Sequence, residues 1–219
     1  MPAAKQSRPE LWLLLSLLLV ILLYPALDHG DLRRFVLTAL IFVPVVISTV
    51  RLSQTKSWAW PALVLMGLVI IFGALSFFFP NPIVLAMKWG SLAAFFAFTV
   101  AGLFVYLRNA PSITRAHLYA AVSNYLLLGM LWFAIYCAVD AIFPGAFSTS
   151  ANVVTDRQSE MLYFSLVTLT TIGYGDVVAR QEEVRMLAAL EGVAGVLYIA
   201  ITMAILVSAL RRENLPPPE

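Results

Sequence analysis

Residues Tyr163 to Asp176 read YFSLVTLTTIGYGD and lie between two long apolar segments. Glycine adopts positive φ without the steric cost that other residues meet, and here two glycines, Gly173 and Gly175, are separated by one residue. Such a backbone can turn successive carbonyls to the same side, which neither a regular helix nor a strand does. Several such chains around one axis would form stacked rings of oxygens that replace the water shell of an ion. The hydroxyl of Thr171 would add one more ring at the inner end.

The residues before this loop predict a short helix. Thr155-x-x-Gln158 fits a capping box, and apolar residues and threonines then continue to Thr170. A helix that ends there points the partly negative end of its dipole toward the membrane centre, where a cation needs stabilisation. Irregular backbone is tolerated at that depth only where protein buries it or where it lines an aqueous path. The segment therefore predicts a site of ion conduction.

The composition predicts an integral membrane protein. Of the 219 residues, 61% are hydrophobic and 12% are charged, whereas a soluble domain has about 45–50% and about 25%. Each membrane-spanning helix needs about 20 apolar residues. Six apolar segments are apparent: Glu10–Leu27, Leu32–Leu52, Trp60–Phe79, Ile83–Leu107, His117–Phe143 and Glu183–Leu210. The longest stretch outside any apolar run, Pro144–Ser159, is too short for a soluble catalytic or ligand-binding domain. We therefore expect an all-α membrane protein that is not an enzyme, with an uncleaved first span.

The distribution of charge predicts the orientation. With the N-terminus inside, eight basic residues lie at inner ends of the segments and five at outer ends. Acidic residues are in excess on the outer side, which would concentrate cations there. We expect a multi-pass protein of the plasma membrane with both termini cytoplasmic, and the small size suggests a prokaryotic inner membrane. The net charge of +2 gives no indication of a nucleic-acid partner.

The string Thr170–Asp176, TTIGYGD, resembles the signature of the tetrameric potassium-channel family, with isoleucine in place of the usual valine. The resemblance extends over about His117–Arg212 and implies an outer helix, a re-entrant pore helix, a selectivity-filter loop and an inner helix. The resemblance does not extend to the first four spans, which match six-span channels only in how many spans precede the pore region. The expected organisation is a four-helix transmembrane domain of unknown role at 1–112, in the position of a voltage sensor, and a pore domain at 113–219.

The resemblance also implies roles for the filter residues. Potassium would be coordinated by the carbonyls of Thr171, Ile172, Gly173 and Tyr174, together with the Thr171 hydroxyl. The Tyr174 ring would point away from the axis and brace the filter against pore helices. Three neighbours, Thr170, Gly175 and Asp176, would support the filter, with Asp176 hydrogen-bonded behind it at the outer mouth.

One such loop per chain cannot close a ring, so the mechanism requires a homotetramer in the lipid bilayer. Potassium is then the permeant ion, and no cofactor is expected.

Residues of the last span allow more than one interpretation. Glu191 is one helical turn before Gly195, and it either braces the pore helix or filter by a hydrogen bond, acts as a proton-sensitive gate, or has no particular role. Gly195 stands where the family has its hinge glycine, and it is a bending point, a close helix contact, or both. Ile199, Met203 and Val207 follow at four-residue spacing, which is typical of packing, but the resemblance favours a pore-lining hydrophobic constriction.

The fourth apolar segment bears on voltage gating. Lys88 is the single basic residue within Ile83–Leu107, so we expect it to snorkel to the interface and do not expect steep voltage gating.

The leading function is a potassium-selective channel that conducts passively. The alternatives are a potassium-transporter subunit, a class that generally carries four such loops on one chain, and a non-conducting structural or sensory membrane protein.

Overall fold

The structure is a computed structural model that describes residues 9–23, 44, 47, 56–110, 113–149 and 156–213. The described residues include helices and strands with these bounds: α1 Pro9–Leu23, α2 Lys56–Phe78, α3 Pro82–Arg108, α4 Arg115–Ile142, β1 Phe147–Thr149, α5 Arg157–Leu169, β2 Val177–Ala179 and α6 Glu182–Glu213.

Four of these helices, α2, α3, α4 and α6, are long and apolar enough to cross a membrane. The helix α1 is apolar but shorter, with 15 residues. The predicted second span, Leu32–Leu52, lies outside the described residues apart from positions 44 and 47. The part of the chain that is described is therefore consistent with an all-α membrane protein, and four of the predicted spans have a counterpart in it.

The core forms where α3 packs along α4. The helix α3 begins after Asn81, whose side-chain oxygen accepts a hydrogen bond from the Val84 amide at 2.9 Å. A short connection leads from α3 to α4, so the two helices are antiparallel neighbours. Trp89 of α3 meets Phe133 of α4 edge to face, with ring centroids 5.3 Å apart. The helix α1 packs on α4, and α2 packs on α3.

The two ends of the segment from β1 to β2 lie side by side. The strands pair antiparallel, with Phe147 opposite Ala179 and Thr149 opposite Val177. Between them lies α5, whose 13 residues span only about 20 Å, too short to cross a bilayer. The helix packs against α4 and α6. Because the strand pairing brings the two ends of the segment together, α5 and the loop after it have the geometry of a re-entrant insertion.

Two details of this segment differ from the sequence-based expectation. No strand was expected, because three-residue strands carry too little alternation to be recognised. The N-cap of α5 is Asp156, whereas the capping residue predicted from the sequence, Thr155, lies outside the described residues.

The guanidinium group of Arg157 fixes the first turn of α5. Its Nε and Nη2 donate to the two carboxylate oxygens of Asp140 on α4, at 3.0 and 2.7 Å. It also donates to Glu160 at 3.1 Å and to the carbonyl of Phe147 in β1 at 3.1 Å. The hydrogen bonds to Asp140 raise the pKa of Arg157, so its charge is retained throughout the accessible pH range. One side chain therefore joins α4, β1 and α5.

Replacing Arg157 by lysine keeps the charge but removes the two-pronged contact with Asp140. We expect Arg157→Lys to lower the free energy of unfolding by about 1–2 kcal/mol, a modest value because the side chain is partly exposed. The measurement is the melting temperature of the purified protein in detergent. Arg185→Lys, at an exposed position on α6, is the matched control and should change little. An equal loss in both variants would contradict the assignment.

Candidate ion-conduction site

The loop after α5 has an alternating backbone. Thr171, Gly173 and Gly175 have φ angles of 59°, 58° and 78°, and the residues between them do not have positive φ. Positive φ was expected at the glycines. It was not expected at Thr171, because a β-branched residue is disfavoured there. Such a conformation persists only where the surrounding structure holds it, and it is concentrated at functional sites.

The amides of this loop point back toward α5. The N–H groups of Ile172 and Gly173 both donate to the carbonyl of Val167, at 3.0 and 3.4 Å. In a trans peptide the N–H and the preceding C=O point in opposite directions, and the described residues contain no cis peptide. The carbonyls of Thr171 and Ile172 are therefore directed away from α5. They form an acceptor face on the far side of the loop.

The last turn of α5 is tied directly to the loop. The amide of Thr170 donates to the carbonyl of Leu166 at 3.1 Å, and the Thr170 hydroxyl donates to the same carbonyl at 2.6 Å. The amide of Thr171 donates to the carbonyl of Thr168 at 2.9 Å. The C-terminal end of α5, with its partial negative charge, thus adjoins the acceptor face and adds to its attraction for cations.

Asp176 connects the other end of the loop to α5. The Tyr163 hydroxyl donates to the carboxylate at 2.7 Å, which supplies the hydrogen bond expected for Asp176 and identifies its donor. The carboxylate also accepts from the amide of Val177 at 3.0 Å. Because these bonds favour the ionised form, they lower the pKa of Asp176, and the same contact raises the pKa of Tyr163 to about 12.

The Tyr174 side chain is 70% exposed in the single chain, and Ile172 is also largely exposed. The expected bracing of the filter by Tyr174 remains a prediction about contacts with another chain.

Glu191 lies at the junction of three helices. It is fully buried in α6, and its carboxyl oxygens meet the Tyr136 hydroxyl of α4 at 2.5 Å and the Ser165 hydroxyl of α5 at 2.6 Å. Ser165 in turn donates to the carbonyl of Gly129 in α4 at 2.8 Å. Of the alternatives for Glu191, the hydrogen bond to α5 is present. Sequence reasoning missed both partners, because neither Tyr136 nor Ser165 carries a local signal of a contact with α6.

Gly195 is a point of close contact. A Cβ atom added to it would lie 2.2 Å from the Leu169 carbonyl oxygen, so only glycine lets α6 approach the end of α5 this closely. The helix continues without interruption from Glu182 to Glu213. The close-contact interpretation is therefore present in the structure, whereas a bend at Gly195 remains a prediction.

The predicted constriction residues of α6 face away from the chain's own core. Ile199, Met203 and Val207 are 52%, 55% and 55% exposed. Packing within the chain therefore does not account for their four-residue spacing.

Comparisons with known proteins concern the part of the chain that holds this site. Residues 125–212, from within α4 to the end of α6, match a family model described as ion channel. Two rice proteins (Oryza sativa subsp. japonica) are similar to part of the chain. Two pore potassium channel a is 35% identical over 77 residues, and two pore potassium channel b is 37% identical over 75. No solved structure matches the chain significantly.

These matches are partial. They cover 35% and 34% of this chain, and the matched region spans about a fifth, 19%, of each rice protein. They point to a channel rather than an enzyme and support a relationship with potassium channels. The family model covers the region that contains α5, the loop and α6.

The bond from Tyr163 to Asp176 can be tested by titration. We expect Tyr163→Phe to raise the Asp176 pKa toward the ordinary value of about 3.9, measured by carbon NMR of the labelled carboxyl group. Stabilisation from a lowered carboxyl pKa is complete above that ordinary value and is lost as pH falls through the lowered pKa. The acid-range loss of stability should therefore be smaller in Tyr163→Phe. Tyr174→Phe is the control, and an identical shift in both variants would refute the assignment.

The contact at Gly195 has a control on the same helix. We expect Gly195→Ala to destabilise the protein by about 1–3 kcal/mol or to prevent folding, because the new methyl group would meet backbone that cannot retreat. Gly192→Ala should be tolerated, since its Cβ would lie at an ordinary 3.7 Å from the Thr168 carbonyl oxygen. The measurement is the melting temperature and the yield of folded protein. Equal tolerance of both changes would show that α6 does not approach α5 as described.

Proposed function

We propose that this chain is the subunit of a potassium-selective channel, in which four copies form one pore and conduct K⁺ passively. The observation that carries the proposal is the loop Thr170–Asp176, whose alternating positive φ angles and backward-pointing amides leave an acceptor face of carbonyls. The carbonyls of Thr171, Ile172, Gly173 and Tyr174, with the Thr171 hydroxyl, would replace the hydration shell of potassium.

The exposed surfaces of the chain support assembly into a ring. One loop presents its carbonyls from one side, so enclosing an ion requires further copies around the axis. Tyr174 is exposed in the single chain and would be covered by a neighbour in a ring. The exposed apolar face of α6, which includes Ile199, Met203 and Val207, would line the inner pore and form its hydrophobic gate, with Gly195 as the hinge.

The remaining predicted residues would hold the filter in place. Thr170 and Asp176 join the two ends of the loop to α5, Gly175 supplies positive φ, and Glu191 ties α6 to the pore helix α5. The proposed pore domain is 113–219, with 1–112 as the preceding transmembrane domain. We further propose a prokaryotic plasma-membrane location with both termini cytoplasmic.

The helix α3 supports a channel without a steep voltage sensor. Between its ends it carries one basic residue, Lys88, whose Nζ lies 4.7 Å from the centre of the Trp89 ring. The face around Trp89 is buried against α4. A voltage sensor of the usual kind needs several charges that move through the membrane field, each worth about 2.3 kcal/mol per 100 mV. Lys88 alone supplies little of that energy.

The test of conduction is the reversal potential of the purified protein in planar bilayers under a potassium gradient. A tenfold gradient should give reversal near the potassium equilibrium potential, about 59 mV in magnitude, with block by barium and loss of current when sodium replaces potassium. Reversal near zero would refute selectivity. Silence of a confirmed tetramer, under varied pH and voltage, would favour the non-conducting alternative.

Two glycine variants separate a filter defect from general backbone strain. Gly173 and Gly145 both have positive φ, 58° and 91°, and both have open space where a Cβ would lie. Alanine at either position costs about 1–3 kcal/mol of strain. Gly173→Ala should abolish selective current, whereas Gly145→Ala, before β1 and outside the loop, should retain it. Equal loss of selectivity in both variants would count against the filter assignment.

A further inference from the structure

The Ser165 oxygen makes two short contacts with other oxygen atoms, and each contact needs a hydrogen atom between the two oxygens. The hydroxyl supplies one hydrogen, so the Glu191 carboxyl group has to supply the other. The Ser165 hydroxyl carries a single hydrogen, yet its oxygen lies 2.8 Å from the Gly129 carbonyl oxygen and 2.6 Å from Oε1 of Glu191. The Gly129 carbonyl has no hydrogen to donate. When Ser165 donates to Gly129, the short contact with Glu191 requires a hydrogen on the carboxyl group.

The contact of the Glu191 carboxyl group with Tyr136 agrees with a hydrogen bond donated from Glu191 to Ser165. The Tyr136 hydroxyl donates to Oε2 of Glu191 at 2.5 Å, which leaves Oε1 to carry the carboxyl hydrogen. The bonds then run in one direction, from Tyr136 to Glu191, from Glu191 to Ser165, and from Ser165 to the Gly129 carbonyl. We call these four groups the Glu191 relay. The three side chains of the relay are fully buried.

Among the described residues, no positive charge lies beside Glu191 to balance a negative one. The titratable side chains that face it are Tyr136 and Tyr125, both on α4. The helix α5 contributes the uncharged Ser165, and no basic side chain of the described residues contacts the carboxyl group. A buried carboxylate without a positive partner is costly in a protein interior and more so within a membrane. A neutral carboxylic acid that both donates and accepts avoids that cost.

We propose that Glu191 is a proton-binding site, and that its neutral form locks α6 to α4 and α5 through the Glu191 relay. Loss of the proton would remove the donor to Ser165 and leave a charge in the helix junction. Gly195 lies one turn further along α6, against the Leu169 carbonyl at the end of α5. A displacement of α6 at Glu191 would therefore reach the helix end that adjoins the filter loop. The lock itself does not depend on conduction, whereas its effect on current rests on the proposed function.

The first experiment detects the proton directly. The infrared spectrum of the full chain in liposomes should contain the carbonyl stretch of a protonated carboxylic acid, and Glu191→Gln should remove it. Glu160→Gln is the matched control, because Glu160 is paired with Arg157 and should contribute no such band. A wild-type spectrum without the band, or a band that survives Glu191→Gln, would overturn the proposal.

The second experiment measures the lock through stability. In Glu191→Gln the amide oxygen can accept from Tyr136 and the amide N–H can donate to Ser165, so the relay is preserved without a titratable group. The melting temperature of the wild type should fall as pH rises above the ordinary carboxyl pKa of about 4.3, because the unfolded chain then releases a proton that the folded chain still holds. The fall should end where Glu191 of the folded chain itself loses its proton. Glu191→Gln should match the wild type at lower pH and lack this fall.

The outcome that contradicts the proposal is equally specific. If the carboxylate only accepted hydrogen bonds, the amide would present a donor to Ser165 where an acceptor is needed, and Glu191→Gln would be several degrees less stable than the wild type at every pH. Ser165→Ala should lower the melting temperature at lower pH by about 5 °C, since it removes the middle of the relay. A Ser165→Ala variant as stable as the wild type would also contradict the lock.

Current recordings then separate the two proposals. Where the wild type conducts, its current should change with pH over the range in which Glu191 titrates, and Glu191→Gln should remove that change. Absence of current in every variant would count against the proposed function and leave the infrared and stability results to decide the proton site.

Discussion

The geometry of the site depends on one carbonyl group, that of Val167, which accepts the amides of both Ile172 and Gly173. Holding two successive amides toward α5 forces the carbonyls before them to the opposite side. The strain at Thr171 is supported by the same hydrogen bonds. The fold around α5 positions this carbonyl: Arg157 fixes the start of the helix, Gly195 lets α6 approach its end, and Glu191 joins the middle to two neighbouring helices. Each of these three residues restrains the position of α5.

The sequence predicted what depends on local pattern. The bounds of the four long helices lie within about four residues of the predicted spans, because apolar length largely determines where a membrane helix begins and ends. Positive φ at Gly173 and Gly175 was predictable because glycine alone tolerates it freely. The partners of Glu191 were not predictable, since Tyr136 and Ser165 lie 55 and 26 positions away along the chain. The pairing of Arg157 with Asp140 was not predictable either, because it is created by the way α5 folds back on α4.

The packing of α3 on α4 also bears on how the two predicted domains relate. The residues before 113 and those after it share one core, which includes the contact of Trp89 with Phe133. At the end of α3 the Tyr106 ring stacks on His117 of α4 at 4.8 Å, and His117 Nδ1 accepts the Thr114 amide at the start of α4. A displacement of α3 would therefore reach α4 through direct helix contact.

The pairing of β1 with β2 sets an order on synthesis and membrane insertion. The first strand emerges from the ribosome before α5, but its partner, Val177–Ala179, is made only after the loop Thr170–Asp176. The strands can therefore close only when the whole insertion has been translated. Until then α5 is a helix too short to remain in the bilayer by itself, and it lacks its contacts with α6. The insertion must enter the protein late and as a unit, after α4 is in place and as α6 arrives.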